Sequence, residues 1–227
     1  MTAKDMFSHR VSILTGHYGT GKTEVSVNLA LALAAEGEQV MLADLDIVNP
    51  YFRSRERRPL LEKAGVRGIS SSQACSDADV PALPAELLTI LENREIRGIL
   101  DIGGDPVGAR VLARFQPKIV QEDYQLIFVL NANRPEVRDA ESAAAYLRSI
   151  EAVTGLTCSG LVNNTHLCGE TTPAEIRKGA ALAQEVSRQT GIPILCHTAE
   201  RRFLESLSDL GEPVFPIAIN MKKPWER

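Results

Sequence analysis

One glycine-rich stretch constrains this chain more than any other feature. Residues 16–23 read Gly-His-Tyr-Gly-Thr-Gly-Lys-Thr, a complete GxxxxGK[ST] pattern, and they directly follow the apolar run Val11–Leu14. A helical pattern then runs from Thr23 to Ala35. Between a strand and a helix, this pattern is typical of a loop whose backbone N–H groups converge on phosphate oxygens. We expect the Lys22 ammonium to reach the β- and γ-phosphates and the Thr23 hydroxyl to bind Mg²⁺. The predicted loop residues are Gly16, His17, Tyr18, Gly19, Thr20, Gly21, Lys22 and Thr23.

The rest of the chain alternates short apolar runs with longer helical patterns. The predicted strands are Val11–Leu14, Gln39–Ala43, Gly98–Asp101, Gln125–Leu130, Ser159–Asn163 and Ile192–Leu195. The predicted helices are Thr23–Ala35, Pro84–Asn93, Pro135–Ala152 and Pro173–Thr190. Several strands are apolar throughout, as in sheets covered on both faces. This order predicts a three-layer α/β/α fold with a mostly parallel central sheet, in a single domain over residues 1–227. Residues 51–81 are the least regular, and we expect a loop there.

Aspartates follow two of the predicted strands. Asp44 and Asp46 leave the second strand at positions i and i+2, and Asp101 ends the third. In a parallel sheet, these strand ends lie beside the phosphate loop. Asp101 is thus placed to hold Mg²⁺, as a Walker B carboxylate does. The glycines at 103 and 104 allow the next segment to change conformation when a γ-phosphate binds.

Together these motifs resemble those of the MinD/ParA/nitrogenase-iron-protein superfamily of P-loop ATPases, which carry a deviant Walker A motif (SIMIBI class). The similarity extends through residues 131–139 and 161–164. It implies ATP and Mg²⁺ as cofactors, and catalytic roles for Lys22, for Asp46 as the residue that positions water, and for Asp105 as a switch II carboxylate. It also places Asp44 near the metal with Thr23 and Asp101. Asn164, or alternatively Asn163, would bond the adenine edge through its amide. The guanine-selective Asn-Lys-x-Asp pattern is missing, which favours ATP over GTP.

The loop departs from the family pattern at the signature lysine, which in the family crosses a dimer interface to the partner's phosphate. Here His17 stands at that position, and Tyr18 replaces a glycine. Histidine is shorter than lysine and only partly charged at neutral pH. An ATP-dependent homodimer would then need another cation, and Arg53, Arg55 and Arg110 are the candidates that the sequence leaves open.

Composition excludes several other functions. With 25 basic and 29 acidic residues the net charge is −4, which argues against nucleic-acid binding despite the basic run at 53–58. No apolar stretch approaches the roughly 20 residues of a membrane span, and no export signal is apparent, so we expect a cytoplasmic protein. Two Cys and two His, namely His166, Cys168, Cys196 and His197, would suit Zn²⁺, although their spacing fits no established pattern. The position matching the iron protein's cluster cysteine is Gly108.

The sequence therefore predicts a slow, magnesium-dependent ATPase that acts as a nucleotide switch for a protein partner or client. Two alternatives stay open. One is an ATP-dependent ligase of the dethiobiotin-synthetase or cobyrinate-amidating type, which would turn over only with a small carboxylate substrate. The other is an ATP-binding adaptor that does not hydrolyse its nucleotide.

Overall fold

A computed structural model describes residues 1–46, 57–70 and 85–221. Its strands are β1 (Val11–Thr15), β2 (Gln39–Asp44), β3 (Arg67–Ser70), β4 (Ile96–Asp101), β5 (Tyr124–Leu130), β6 (Cys158–Asn163), β7 (Ile194–Glu200) and β8 (Val214–Ile217). Its α-helices are α1 (Ala3–Met6), α2 (Lys22–Ala35), α3 (Arg58–Lys63), α4 (Ala85–Glu92), α5 (Pro106–Ala109), α6 (Gln116–Ile119), α7 (Ala140–Thr154) and α8 (Pro173–Thr190). Within this part of the chain the eight strands form one parallel sheet in the order β3-β2-β4-β1-β5-β6-β7-β8.

Both faces of the sheet are buried, as the apolar strands predicted. Ile13 and Phe128 face a core that contains residues of α4, α7 and α8. Leu14 and Val129, one position further along the same strands, face a second core with residues of α1 and α2. Successive strand residues point to opposite faces, so each central strand contributes to both cores. The three-layer α/β/α architecture predicted from the sequence is confirmed.

The start of α7 differs from the sequence-based boundary at Pro135. Pro135–Val137 forms a single 3₁₀ turn, and the α-helix begins only at Ala140. The reason is the cap at Asp139, whose carboxylate accepts the Ser142 N–H at 2.8 Å. A side-chain acceptor at this position satisfies an N–H that has no partner inside the helix.

The predicted strand Ile192–Leu195 is also wrong in its bounds, because β7 begins later and ends later. Its first half pairs with β6, and its second half, from His197 to Glu200, pairs with β8. Cys196 and His197 therefore lie within the strand and do not follow it. The polar residues of its second half hide the strand in the sequence, since their strand conformation comes from the β8 partner.

The two edge strands, β3 and β8, were not predicted. β3 has only four residues and includes Arg67 and Gly68, while β8 contains Pro216. Edge strands are commonly short and tolerate proline because one side of their ladder has no partner. Pro84, Arg53, Arg55 and the greater part of the predicted loop at 51–81 lie outside the described residues. Within the described ranges, no helix has the length and apolarity needed to cross a membrane.

Candidate phosphate-binding site

The loop between β1 and α2 turns tightly through three glycines. Gly16, Gly19 and Gly21 have φ angles of +139°, +76° and +84°. A Cβ atom on Gly16 would lie 2.4 Å from the Val129 carbonyl oxygen, which excludes a side chain there. L residues rarely adopt such φ angles, so this backbone path requires glycine. The loop therefore has the compact turn that the sequence motif predicts.

Hydrogen bonds to the His17 carbonyl close the loop from within. It accepts the Thr20 hydroxyl at 2.9 Å and the Lys22 Nζ at 3.3 Å. Lys22 is buried, and this burial lowers the pKa of its ammonium, while the charges of Asp101, Asp46 and Asp105 act in the opposite direction. The lysine thus lies at the centre of the loop and within the electrostatic field of the aspartates that the sequence singled out.

Asp44 and Asp101 end two neighbouring strands at the same register position. Asp101 is 1% exposed, and neither of its carboxylate oxygens has a hydrogen-bond partner among the described residues. Burial and the negative charge of Asp44 raise the pKa of Asp101 to about 7; the Thr23 hydroxyl and Lys22 oppose that rise. A carboxylate buried this completely is costly unless a cation or proton joins it. Oxygen atoms from two carboxylates and a hydroxyl are ligands that Mg²⁺ prefers, so these residues fit that ion.

Asp46 and Asp105 are held by local hydrogen bonds. The Asp46 N–H donates to the Asp44 carboxylate at 3.3 Å. Asp105 caps α5, because its carboxylate accepts the Gly108 N–H at 2.7 Å. A Cβ atom on Gly108 would lie 2.9 Å from the Gly103 Cα. Backbone therefore fills the position that matches the cluster cysteine of the iron protein.

The segment after β4 packs directly onto the phosphate loop at Gly104. A Cβ atom on Gly104 would lie 2.6 Å from Lys22 Nζ and 2.8 Å from the Tyr18 nitrogen. The Tyr146 hydroxyl of α7 donates to the Gly104 carbonyl, and the Tyr146 ring meets the His17 ring edge-on with centroids 4.9 Å apart. Sequence reasoning missed Tyr146, which lies inside a helical pattern with nothing to distinguish it.

Asn163 and Asn164, the two candidates for base recognition, are both buried and hydrogen-bonded. Asn164 donates to the Thr20 carbonyl at 2.7 Å and accepts the Thr198 hydroxyl at 2.5 Å. The Asn163 amide bonds the Ile176 carbonyl and His197 Nδ1, and it accepts the Thr165 N–H. Asn164 thus touches the phosphate loop directly, whereas Asn163 joins β6 to α8 and β7.

Two further side chains lie against the loop without having been predicted as site residues. Arg134, which follows β5, donates its Nε–H to the Gly19 carbonyl at 2.7 Å. His166 approaches Gly21, where a Cβ atom would lie 3.1 Å from His166 Nε2. Burial, and secondarily the charge of Arg134, lowers the pKa of His166 to about 4, so the ring is neutral at pH 7. Of the arginines that could replace the signature lysine, Arg110 lies exposed at the end of α5.

The four residues considered for zinc do not form one cluster. The Cys168 sulfur lies 3.8 Å from His166 Nδ1, but His197 bonds Glu212 and Asn163. Cys196 packs into the core beside α2. In the described ranges, no group of three or more His, Cys, Asp or Glu side chains is placed to hold a metal ion. The candidate magnesium site has a different ligand set, namely the Thr23 hydroxyl and the carboxylates of Asp44 and Asp101.

Known proteins resemble this chain at the phosphate loop and, in one case, along almost its whole length. The ParA family model, described as an NUBPL iron-transfer P-loop NTPase, matches residues 6–54. The chain is 24% identical to septum site-determining protein MinD of Helicobacter pylori, over 96% of this chain and 87% of that protein. It is 33% identical to cytosolic Fe-S cluster assembly factor cfd1 of Emericella nidulans, over 42% of this chain and 26% of that one.

A solved structure shares the fold. Signal recognition particle 54 kDa protein from Aeropyrum pernix K1, in complex with GDP, aligns with a TM-score of 0.53 and 25% identity. The alignment covers 82% of this chain but 40% of that chain, so this protein spans less than half of its length. The similarity to MinD runs along almost the whole chain, and the ParA match falls on the phosphate loop. The chain is thus similar to P-loop NTPases of the ParA/MinD type, most extensively to MinD and most specifically at the phosphate loop.

Proposed function

We propose that the protein is a slow, magnesium-dependent ATPase that works as a nucleotide switch. The observation that carries this proposal is the contact of Gly104 with the phosphate loop at Lys22 and Tyr18. A nucleotide phosphate entering the loop must draw Lys22 away from the His17 carbonyl and so changes what Gly104 packs against. Occupation of the loop is thereby linked to the position of residues 103–108. This link is what a switch requires.

The residues around the loop suit hydrolysis by in-line attack of water. Thr23, Asp44 and Asp101 would hold Mg²⁺, which when bound neutralises charge on the β- and γ-phosphates. Asp46 orients the attacking water, whose oxygen bonds to the γ-phosphorus as the bond to the β–γ bridging oxygen breaks. Lys22 stabilises the charge that develops on the phosphate oxygens. Asp105 acts on the switch segment through its cap on α5.

ATP is the proposed nucleotide because the chain lacks the Asn-Lys-x-Asp pattern that selects guanine. The signal recognition particle structure with the same fold contains GDP. Both nucleotides therefore belong in the first assay, and a clear preference for GTP would contradict this part of the proposal.

A protein partner or client, or a second copy of the chain, would read the switch in the cytoplasm. Two exposed apolar side chains support a docking surface at the site. Tyr18 is 50% exposed and Val107 is 69% exposed, and they belong to the two segments that meet at Gly104. The cfd1 name suggests iron–sulfur cargo, and among the described cysteines only Cys168 is partly exposed. Cys158 and Cys196 are buried, and burial raises the pKa of both thiols.

The first test is phosphate release from Mg-ATP and Mg-GTP by the purified protein, with EDTA as the blank. We expect slow turnover without any added substrate, and Lys22→Ala should reduce it by about 100-fold or more. Lys63→Ala, in α3, is the control for removing a lysine. If Lys22→Ala binds and hydrolyses Mg-ATP as the wild type does, the phosphate site is wrongly assigned.

Further measurements separate the alternatives. Asp46→Asn should keep nucleotide binding and slow hydrolysis. Binding without turnover in the wild type favours the adaptor, and turnover only with a small carboxylate favours the ligase. Light scattering with a non-hydrolysable ATP analogue tests the homodimer, since the dimerising switch requires the mass to double.

A further inference from the structure

Arg134 is fitted closely to the phosphate loop. Its Nε–H donates to the Gly19 carbonyl at 2.7 Å, and a Cβ atom on Gly19 would lie 2.7 Å from the Arg134 Cζ. The arginine lies in the segment after β5, and β5 is a neighbour of β1 in the sheet. Glycine at position 19 therefore does more than permit the turn, because it also leaves the space that the guanidinium occupies.

No carboxylate in the described part of the chain neutralises the charge of Arg134. None of the ion pairs between described residues includes it. The Nε–H bond to Gly19 is the one hydrogen bond of its side chain within the described ranges, although a guanidinium carries five N–H groups. His166, the titratable neighbour on the same side of the loop, is neutral at pH 7.

Two other arginines with restricted exposure, Arg10 and Arg97, have more hydrogen-bond partners. Arg10 bonds the Glu122 carboxylate and four backbone carbonyls. Arg97 bonds the carbonyls of Ser8 and Phe7. A partly buried cation with free N–H groups at the edge of a phosphate loop indicates that an anionic oxygen completes its set.

The position of Arg134 specifies which part of a nucleotide it meets. Asp44, Asp46 and Asp101 lie at the ends of β2 and β4, on one side of the loop. Arg134, His166 and Asn164 lie on the other side, over β5 and β6. Since the metal and the γ-phosphate belong with the carboxylates, the opposite side receives the α- and β-phosphates.

We propose that Arg134 binds the α- and β-phosphate oxygens of the nucleotide within the same chain. It thereby supplies the cation that is missing at His17, without a lysine from a partner subunit. This inference rests on the proposed nucleotide binding. It predicts that Arg134 contributes equally to the binding of ADP and of ATP by a single chain. The reason is that both nucleotides carry the α- and β-phosphates.

The test is calorimetric titration of Mg-ADP and Mg-ATP at two salt concentrations. Arg134→Gln keeps an N–H donor but removes the charge, and it should weaken both nucleotides by about tenfold or more. Arg134→Lys should recover part of that loss, because it restores the charge without the bidentate fork. Arg138→Gln is the matched control: it removes an exposed arginine four residues further on, and affinity should not change.

A charge contact also changes the salt dependence of binding. The affinity of Arg134→Gln should fall less steeply with salt than that of the wild type. Equal salt dependence, with a lower melting temperature of the nucleotide-free variant, would mean that Arg134 merely supports the loop and would overturn the proposal. Loss of ATP affinity alone, with ADP unchanged, would overturn it as well. A wild type that binds neither nucleotide refutes the proposed function itself, whereas a wild type and an Arg134→Gln variant that bind equally refute only this inference.

Discussion

The two sides of the phosphate loop are built on different principles. On the side of β2 and β4, charged groups crowd together, and Asp101 is buried among them with Asp44 and Lys22 as charged neighbours. On the side of β5 and β6, neutral amides and hydroxyls complete one another, as Asn164 does between Thr20 and Thr198. The first side keeps the Asp101 carboxylate buried beside Asp44, whereas the second side is already assembled by hydrogen bonds between its own polar groups.

We therefore expect the carboxylate side to serve ligand binding and the amide side to stabilise the fold. A buried, unpaired carboxylate reduces the stability of the nucleotide-free protein and gains most when a cation arrives. A hydrogen-bonded amide network does the reverse, because it holds the loop in place before any ligand binds. Arg134 is the exception on the assembled side, since no carboxylate of the described residues forms an ion pair with it. Substitutions on the two sides should therefore change stability in opposite directions.

The largest expected effect is a loss of stability on the assembled side. Asn164→Ala leaves the Thr20 carbonyl and the Thr198 hydroxyl without their partner in a site that is 1% exposed. We expect the free energy of unfolding to fall by about 2–4 kcal/mol, measured by chemical denaturation without nucleotide. Asn93→Ala, at an exposed asparagine, is the control. A similar, small loss in both variants would show that the network does not support the loop.

On the carboxylate side the sign should reverse. Asp101→Asn removes a buried charge, so we expect the nucleotide-free protein at pH 8, without Mg²⁺, to gain about 1–3 kcal/mol. The same variant should lose magnesium-dependent hydrolysis. Asp209→Asn, which breaks an exposed pair with Arg177, should lose no more than about 1 kcal/mol. Destabilisation by Asp101→Asn would show that the carboxylate has a partner in the folded protein that these contacts do not include.

The pH dependence of stability should also differ between the two sides. The pKa of Asp101 is raised to about 7, so between pH 4 and pH 7 the folded protein holds a proton that the unfolded chain has released. This term makes stability fall as pH rises through that window. The pKa of His166 is lowered to about 4, so the unfolded chain holds the extra proton up to about pH 6.5, and that term makes stability rise with pH.

The two terms partly cancel in the wild type, and single variants should reveal each of them. Stability measured across pH 4–8 should rise more steeply in Asp101→Asn and fall more steeply in His166→Gln than in the wild type. Parallel curves for all three proteins would contradict this assignment.

The smallest expected effect lies where the two sides are connected. Tyr146→Phe removes the hydroxyl that donates to the Gly104 carbonyl and keeps the ring against His17. We expect the free energy of unfolding to fall by about 1 kcal/mol, and nucleotide to bind slightly more tightly because Gly104 is then freer to move. Tyr124→Phe on β5 is the control. Unchanged affinity together with unchanged stability would show that the Tyr146 hydroxyl does not connect α7 to residues 103–108.

Local patterns in the sequence sufficed for much of the fold and for the loop itself. The strand–loop–helix motif at 16–23 is contiguous, and its geometry follows from glycine and from one helix N-terminus. Strands buried on both faces carry their apolar character in their own residues. Asp44 and Asp101 could be placed together because parallel strands end at the same edge of the sheet.

Features that depend on pairing between distant segments could not be predicted in this way. The edge strands β3 and β8, and the second half of β7, take their conformation from neighbours and not from their own composition.

The site shows the same division. The sequence by itself determined a phosphate loop, an α/β sheet and a row of aspartates, because each of these follows from neighbouring residues or from strand order. Only the tertiary structure decided that Asn164 bridges Thr20 and Thr198, and that Arg134 rests on Gly19, 115 residues away along the chain. The identity of an asparagine or an arginine in the sequence does not reveal which groups its side chain will contact. Its role is set by the acceptors around it, and folding brings these together from separate strands.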